Sequence, residues 1–176
     1  MIILMVVRGF FVCTAMLLPI FSYCRIQWIS GIIHLIRREA NLMYLYQHKI
    51  DTGKSQQMIK VTGMVQEDIQ KSGIKEGIAV VFSPHTTAGF TINENADPDV
   101  VSDMLYSLEK TFPALDQQYR HAEGNSHAHI KTTVCGPSQV LIIHEGAIVF
   151  GIWQDLYFCD FDGPRHRSFY VKIIKG

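Results

Sequence analysis

The chain has 176 residues, 48% of them hydrophobic and 18% charged, with 16 basic against 16 acidic side chains. That length and composition suit one folded domain with a sizeable core and exclude a disordered chain. A formal charge of zero leaves no basic stripe for nucleic acid, and four cysteines without a CxxC pair or framework point to a reduced, cytoplasmic setting.

Residues 1–42 stand apart. They are strongly apolar and hold Arg8, Arg25, Arg37 and Arg38 against only Glu39, so the remainder is acidic. The uncharged stretch between Arg8 and Arg25 is sixteen residues long and contains Pro19, short of the roughly 20 residues of a membrane span. No Lys or Arg precedes the apolar run and no small-residue cleavage site follows it, against a secretory signal. The segment is read as a misplaced start or, alternatively, as a membrane anchor, and the working domain as residues 43–176.

Residues 43–50 read as a strand ending at Asp51-Thr52-Gly53, and a second short strand covers 58–61. A helix follows, with Thr62 as N-cap, Val61, Val65 and Ile69 on one face and Gly73 past its end. The run Ile78–Phe82 has the apolar continuity of a buried strand; SPHTTAG interrupts it and Phe90–Ile92 continues extended. Asp97, Pro98 and Asp99 open a helix whose Val101, Met104/Leu105, Leu108 and Phe112 share a side until Pro113 stops it. Strands are expected at 127–135, 139–143, 147–153, 155–161 and 167–174. Two main helices and a mostly antiparallel or mixed sheet with long hairpins make an α+β domain.

Three stretches carry candidate chemistry. On a strand, His127 and His129 of HAEGNSHAHI project from one face, a compact clamp for a divalent ion, with His85, His121, Glu94 or Glu123 as further ligands. In SPHTTAG, His85, Thr86 and Thr87 offer an imidazole and two hydroxyls at a strand break, which suits an anion such as phosphate. Asn93 and Glu94 precede the second helix, Trp153 and Gln154 end a strand, and Arg165 and Arg167 are displayed on the same side of an Asp-Gly-Pro turn. Each also has a plain reading as an exposed strand pair, capped turn, core aromatic or solvated charge.

Together SPHTTAGFTINENADPDV, YRHAEGNSHAHIK, GPS, GIWQ and FDGPRHR resemble the YjbQ-like family, from about Met43 to Lys175, with Phe90, Ser126 and His166 as departures. The resemblance implies a small α+β domain, assembly as a homotrimer, and a site near subunit contacts that gathers His85, His127 and His129. It also implies a weak thiamine-phosphate synthase activity, joining hydroxymethylpyrimidine diphosphate to thiazole phosphate with loss of pyrophosphate. In that reaction a divalent metal, zinc-like or magnesium, would sit on His85, His127, His129 and His121, with Glu94 beside it. Thr86, Thr87, Asn93, Trp153, Gln154, Arg165 and Arg167 would hold a phosphorylated substrate. A metal-dependent hydrolase of a phosphorylated metabolite and a non-catalytic metal- or anion-binding trimer are the alternatives.

Overall fold

The computed structural model describes residues 3–7, 10–14 and 44–176. The chain divides into two compact units, Met1–Asn41 and Leu42–Gly176. In the first, β1 (Ile3–Val7) and β2 (Phe10–Thr14) pair antiparallel, Ile3 opposite Thr14 and Val7 opposite Phe10. The misplaced-start and anchor readings of residues 1–42 rest mostly on segments outside the described residues. Among the described residues no helix is long and apolar enough to cross a membrane.

The second unit is α+β. Its strands are β3 (Leu45–Asp51), β4 (Gln57–Lys60), β5 (Gly77–Phe82), β6 (Ala88–Glu94), β7 (Ser138–His144), β8 (Ala147–Ile148), β9 (Gln154–Asp160) and β10 (His166–Lys175). They form a five-stranded sheet, order β3-β10-β5-β7-β8, and a three-stranded sheet, order β4-β9-β6, with every pairing antiparallel. Three helices accompany them: α1 (Thr62–Ser72), α2 (Pro98–Thr111) and α3 (Ser126–Cys135).

The main core gathers Phe90 and Phe158 of the smaller sheet with Phe169, Val171 and Ile173 of β10, Val81 of β5, and Val65 and Ile69 of α1. Phe90 meets Phe158 and Phe169 edge-on at ring distances of 5.4 and 5.6 Å, the arrangement that aromatic quadrupoles favour. The other side of β9 presents Tyr157 and Cys159, with Phe161 just beyond, to Ala128 of α3 and to Val101, Leu105 and Leu108 of α2. β9 is therefore covered on both faces, which is why its sequence runs apolar without alternation.

Most elements lie within two or three residues of their expected places, and α2 has the expected cap: Asp97 Oδ1 accepts from the Asp99 N–H at 2.9 Å. Gly73 closes α1 at φ 70°, the left-handed region that favours glycine. Thr62 is not the N-cap, however. Val61 holds that place, and the Thr62 hydroxyl instead joins Asp155 and accepts from the Leu156 N–H. The expected strand 147–153 is only Ala147–Ile148.

The larger correction is α3. Residues 126–135 form a helix, not the expected strand, so the second unit has three helices rather than two. Ala128, Lys131 and Thr132 are buried at helical spacing, and the small Ala128 lets the helix lie close against β9. Tertiary packing outweighs the β-branched pair of threonines and Val134.

Candidate functional site

β5 ends at Phe82, opposite Tyr170 of β10. The chain then turns through Ser83–Thr87, held by the Ser83 hydroxyl donating to the Ala88 carbonyl at 2.7 Å and the Ser83 N–H donating to Pro137 at 2.8 Å. Beyond the end of β5 the Ser168 N–H of β10 has lost its strand partner, and His85 Nε2 accepts from it at 3.0 Å. A ring nitrogen that accepts this bond places the proton of the neutral imidazole on Nδ1. Burial, and then the nearby Arg167, hold the His85 pKa below its ordinary value.

Arg167 is itself buried, at 8% exposure. Its Nη2 donates to Thr87 Oγ1 at 2.9 Å and to Asp160 Oδ1 at 2.7 Å, while its Nε is shut off from solvent without a partner among the described residues. The Asp160 Oδ2 accepts from the Thr52 hydroxyl at 2.6 Å, and its Oδ1 also accepts from the Asp162 N–H at 3.1 Å. Gly163 passes so close to the 52–54 turn that a Cβ there would lie 2.2 Å from the Lys54 carbonyl oxygen. Only glycine fits that approach.

Asp162 extends the network to α3. Its carboxylate accepts from Arg165 Nη2 at 2.8 Å and from Asn125 Nδ2 at 3.0 Å. His127 follows Asn125 in the first turn of α3; burial and then Lys131 lower its pKa, while Glu109 and Asp162 oppose them. Its Nδ1 and the Asn125 Oδ1 are buried and without partners among the described residues. Lys131, one turn further along the same helix face, is fully buried and donates to Gln56 Oε1 at 3.1 Å and to Glu109. Hydrogen bonds thus run from Arg167 through Asp160 and Asp162 to Asn125, with His85 in electrostatic reach of Arg167 at one end and His127 in reach of Asp162 and Lys131 at the other.

Several expected site residues are placed differently. His127 and His129 are about 200° apart around a helix, so the two-imidazole clamp of a strand does not form. The His129 ring instead lies 5.4 Å from that of His121, edge-on, with Glu123 3.9 Å from His121. Arg165 and Arg167 do not share a side: the first is half-exposed, the second buried on Asp160. Thr86 is exposed and Thr87 buried. Trp153 is 62% exposed, and the Gln154 Oε1 accepts from the Gly151 N–H. Glu94 pairs with Gln154 at one end of β9 and Ala88 with Asp160 at the other, a separation of about 20 Å at the strand rise per residue. Asn93, Glu94, Trp153 and Gln154 of a single chain therefore stand apart from His85, Thr87 and Arg167.

Among the described residues no three His, Cys, Asp or Glu side chains are placed to hold a metal ion. The donors of one chain do not fit a zinc-like or magnesium ion, and no chemistry below is routed through one. The residues that tie the network together, Thr52, Asn125, Lys131, Asp160 and Asp162, were not marked as site residues by the sequence. A buried Asp-x-Asp at a strand end, beside the Gly-Pro-Arg turn, was the one available signal.

Residues 46–176 match the family model described as UPF0047 protein YjbQ-like. The chain belongs to that family. The YjbQ-like unit is 47% identical to UPF0047 protein YugU of Bacillus subtilis, covering 72% of this chain and 96% of the relative. It is also 47% identical to a UPF0047 protein of Methanocaldococcus jannaschii, covering 74% and 94%. A crystal structure of an uncharacterized conserved YjbQ/UPF0047 protein from Clostridium acetobutylicum superposes with a TM-score of 0.72 at 51% identity, over 73% of this chain and 99% of that one.

Proposed function

We propose that the network around Asp160 and Asp162 binds the phosphoryl group of a small phosphorylated metabolite, and that thiamine-phosphate synthesis, at a low rate, is the reaction carried out there. The observation that carries this reading is three buried, unpartnered polar atoms, Arg167 Nε and Asn125 Oδ1 on residues of that hydrogen-bonded network and His127 Nδ1 two residues beyond Asn125. Buried polar groups are rarely left unpaired, so such a set favours a bound polar ligand. Arg167 Nε and the outward Nδ1–H of His85 are donors for phosphate oxygens, and the half-exposed Arg165 adds charge at the rim.

In the synthase reaction the pyrimidine methylene forms a bond to the thiazole nitrogen as its bond to the diphosphate oxygen breaks. The departing diphosphate takes the donors of Arg165, Arg167 and His85, while neutral His127, with Nδ1 free, is fitted to exchange a proton. The hydrolase alternative depends on a metal that the donor set does not accommodate. Turnover of the two phosphorylated substrates by the purified chain, compared with His127→Ala and Arg165→Ala, tests the proposal. Loss of pyrophosphate release in both folded variants is expected. Undiminished release in both removes the assignment.

We also infer assembly as a homotrimer in a cytoplasmic setting. Support comes from the outer face of the five-stranded sheet, where Ile78 stands between Ile142 and Ile174 and Val80 beside Val140. Phe82, Val140 and Ile142 are 45%, 58% and 59% exposed. A contiguous apolar face of this kind is what subunit contacts cover. Light scattering of the intact chain tests the assembly: the mass of three chains is expected, and a monomer or dimer mass ends the inference.

A further inference from the structure

On the opposite side of the smaller sheet from the main core, α2, α3 and strands β4 and β6 border an open cavity of about 390 Å³. Met58, Asn93, Met104, Leu108, Val134 and Cys135 line it. Cys135 is the last residue of α3 and is half-buried. Cys159 lies behind it in β9, fully buried, and the two pack in one cluster with Ala128, Tyr157 and Phe161. A small solute in the cavity therefore reaches the first thiol directly and the second only through the first.

We propose that Cys135 and Cys159 form a peroxide-driven thiol–disulfide pair, with this cavity as the port by which a small hydroperoxide reaches Cys135. The Cys135 thiolate attacks one peroxide oxygen, the O–O bond breaks, and water or an alcohol leaves after taking a proton, giving the sulfenic acid. The Cys159 thiol then attacks that sulfur, water is expelled, and the S–S bond closes. Two electrons pass from the thiols to the peroxide, and two equivalents of a small thiol return them, leaving as their own disulfide.

The order of the steps follows from the surroundings. Cys135 lines the cavity and is half-buried, whereas Cys159 is fully buried and its thiol donates to the Tyr157 carbonyl at 3.9 Å. The reachable thiol attacks and the sheltered one resolves. The bridge also ties the end of α3, which carries His127, to the residue before Asp160, so oxidation acts on the polar network through a covalent link.

The test uses the full chain treated with hydrogen peroxide and digested without reduction. Both cysteines fall in one tryptic peptide, Thr132–Arg165, so a further cut after Glu145 is needed to separate them. The expected result is two fragments held together until a reductant is added, a linkage that Cys135→Ala abolishes. Fragments that part freely after oxidation, with Cys135 still reduced or carried on to sulfinic acid, overturn the proposal. In Cys159→Ala the Cys135 sulfenic acid should persist and be trapped by dimedone. No adduct there, together with equal peroxide consumption by Cys135→Ala and the intact chain, overturns it too.

Discussion

Arg167 and Asp160 form an ion pair at 2.7 Å with both side chains cut off from solvent, 6% and 0% exposed. Burial alone would push the Asp160 carboxyl up, but hydrogen bonds from Arg167, from Thr52 and from the Asp162 N–H outweigh it, and the net shift is downward. Removing one partner of a buried pair leaves an uncompensated charge, so Arg167→Ala should cost about 3–5 kcal/mol in urea unfolding. The pH dependence has a definite sign. A depressed carboxylate adds stability that is complete above the ordinary aspartate pKa of about 3.9 and disappears as the pH falls through the native value. Acid unfolding of Arg167→Ala should begin at a higher pH than that of the parent; an unchanged acid limb contradicts this account.

His85, His127 and His144 should titrate in a fixed order. Burial and Arg167 lower His85, burial and Lys131 lower His127, and the Glu76 carboxylate raises the exposed His144. Protonating His85 at Nε2 would also break its bond from Ser168. For His85 and His127 the unfolded chain takes up protons first, so their contribution to stability is full above about pH 6.5 and falls away below it. For His144 the contribution is present below that value and is lost as the pH rises through its native pKa. Proton NMR of the imidazole Cε1–H signals, assigned by single His→Gln variants, should find His144 titrating after His85 and His127 as the pH rises. An inverted order for His85 and His144 would falsify the placement of His85.

These two sites show what the sequence carries and what it does not. SPHTTAG and FDGPRHR stood out in the sequence as polar turns between apolar strands, and the structure joins them through Arg167, which donates to Thr87 and Asp160. The helices α1 and α2 were legible from caps and periodicity. α3 was not: Ser-His-Ala-His-Ile alternates like a strand, and only packing against β6, β9 and α2 makes Ala128, Lys131 and Thr132 the buried side. Once that segment is helical, His127 comes within reach of the charges of Lys131, Glu109 and Asp162, while His129 packs edge-on against His121. A two-residue spacing thus reads as convergence on a strand and as divergence on a helix. Asp160 was hidden for another reason. A carboxylate inside a buried strand looks unfavourable until the arginine seven residues later is seen folded back onto it.

Gly89 is the point where β6 meets the end of α3. A Cβ there would lie 2.3 Å from the Gly136 carbonyl oxygen, the same oxygen that accepts from the Phe90 N–H at 2.9 Å. Neither backbone can yield without losing that bond. Gly89→Ala should destabilise by about 3 kcal/mol, as overpacking against a rigid neighbour does. Gly53, where an added Cβ meets nothing within 4 Å, is the control, and Gly53→Ala should stay within about 0.5 kcal/mol of the parent. Equal urea midpoints for the two variants would show that the α3–β6 contact is looser than described.

Lys131 tests whether the charge beneath His127 serves stability or the site. Its side chain is fully buried, while its partner Glu109 is 43% exposed. Removing the carboxylate strands an ammonium in the interior, and Glu109→Ala should cost about 2 kcal/mol, less than for a fully buried pair because water reaches one side. Lys131→Met removes the charge and keeps the length, so it should be close to neutral in stability. It also removes one of the influences that lower the His127 pKa. In Lys131→Met the His127 titration should therefore move to higher pH, while the same substitution leaves His85 where it was. Thermal unfolding and the imidazole titration, taken on one sample, separate the two effects. A His127 signal that does not move would mean that the Lys131 charge does not reach its imidazole, and that Lys131 only fills space beneath α3.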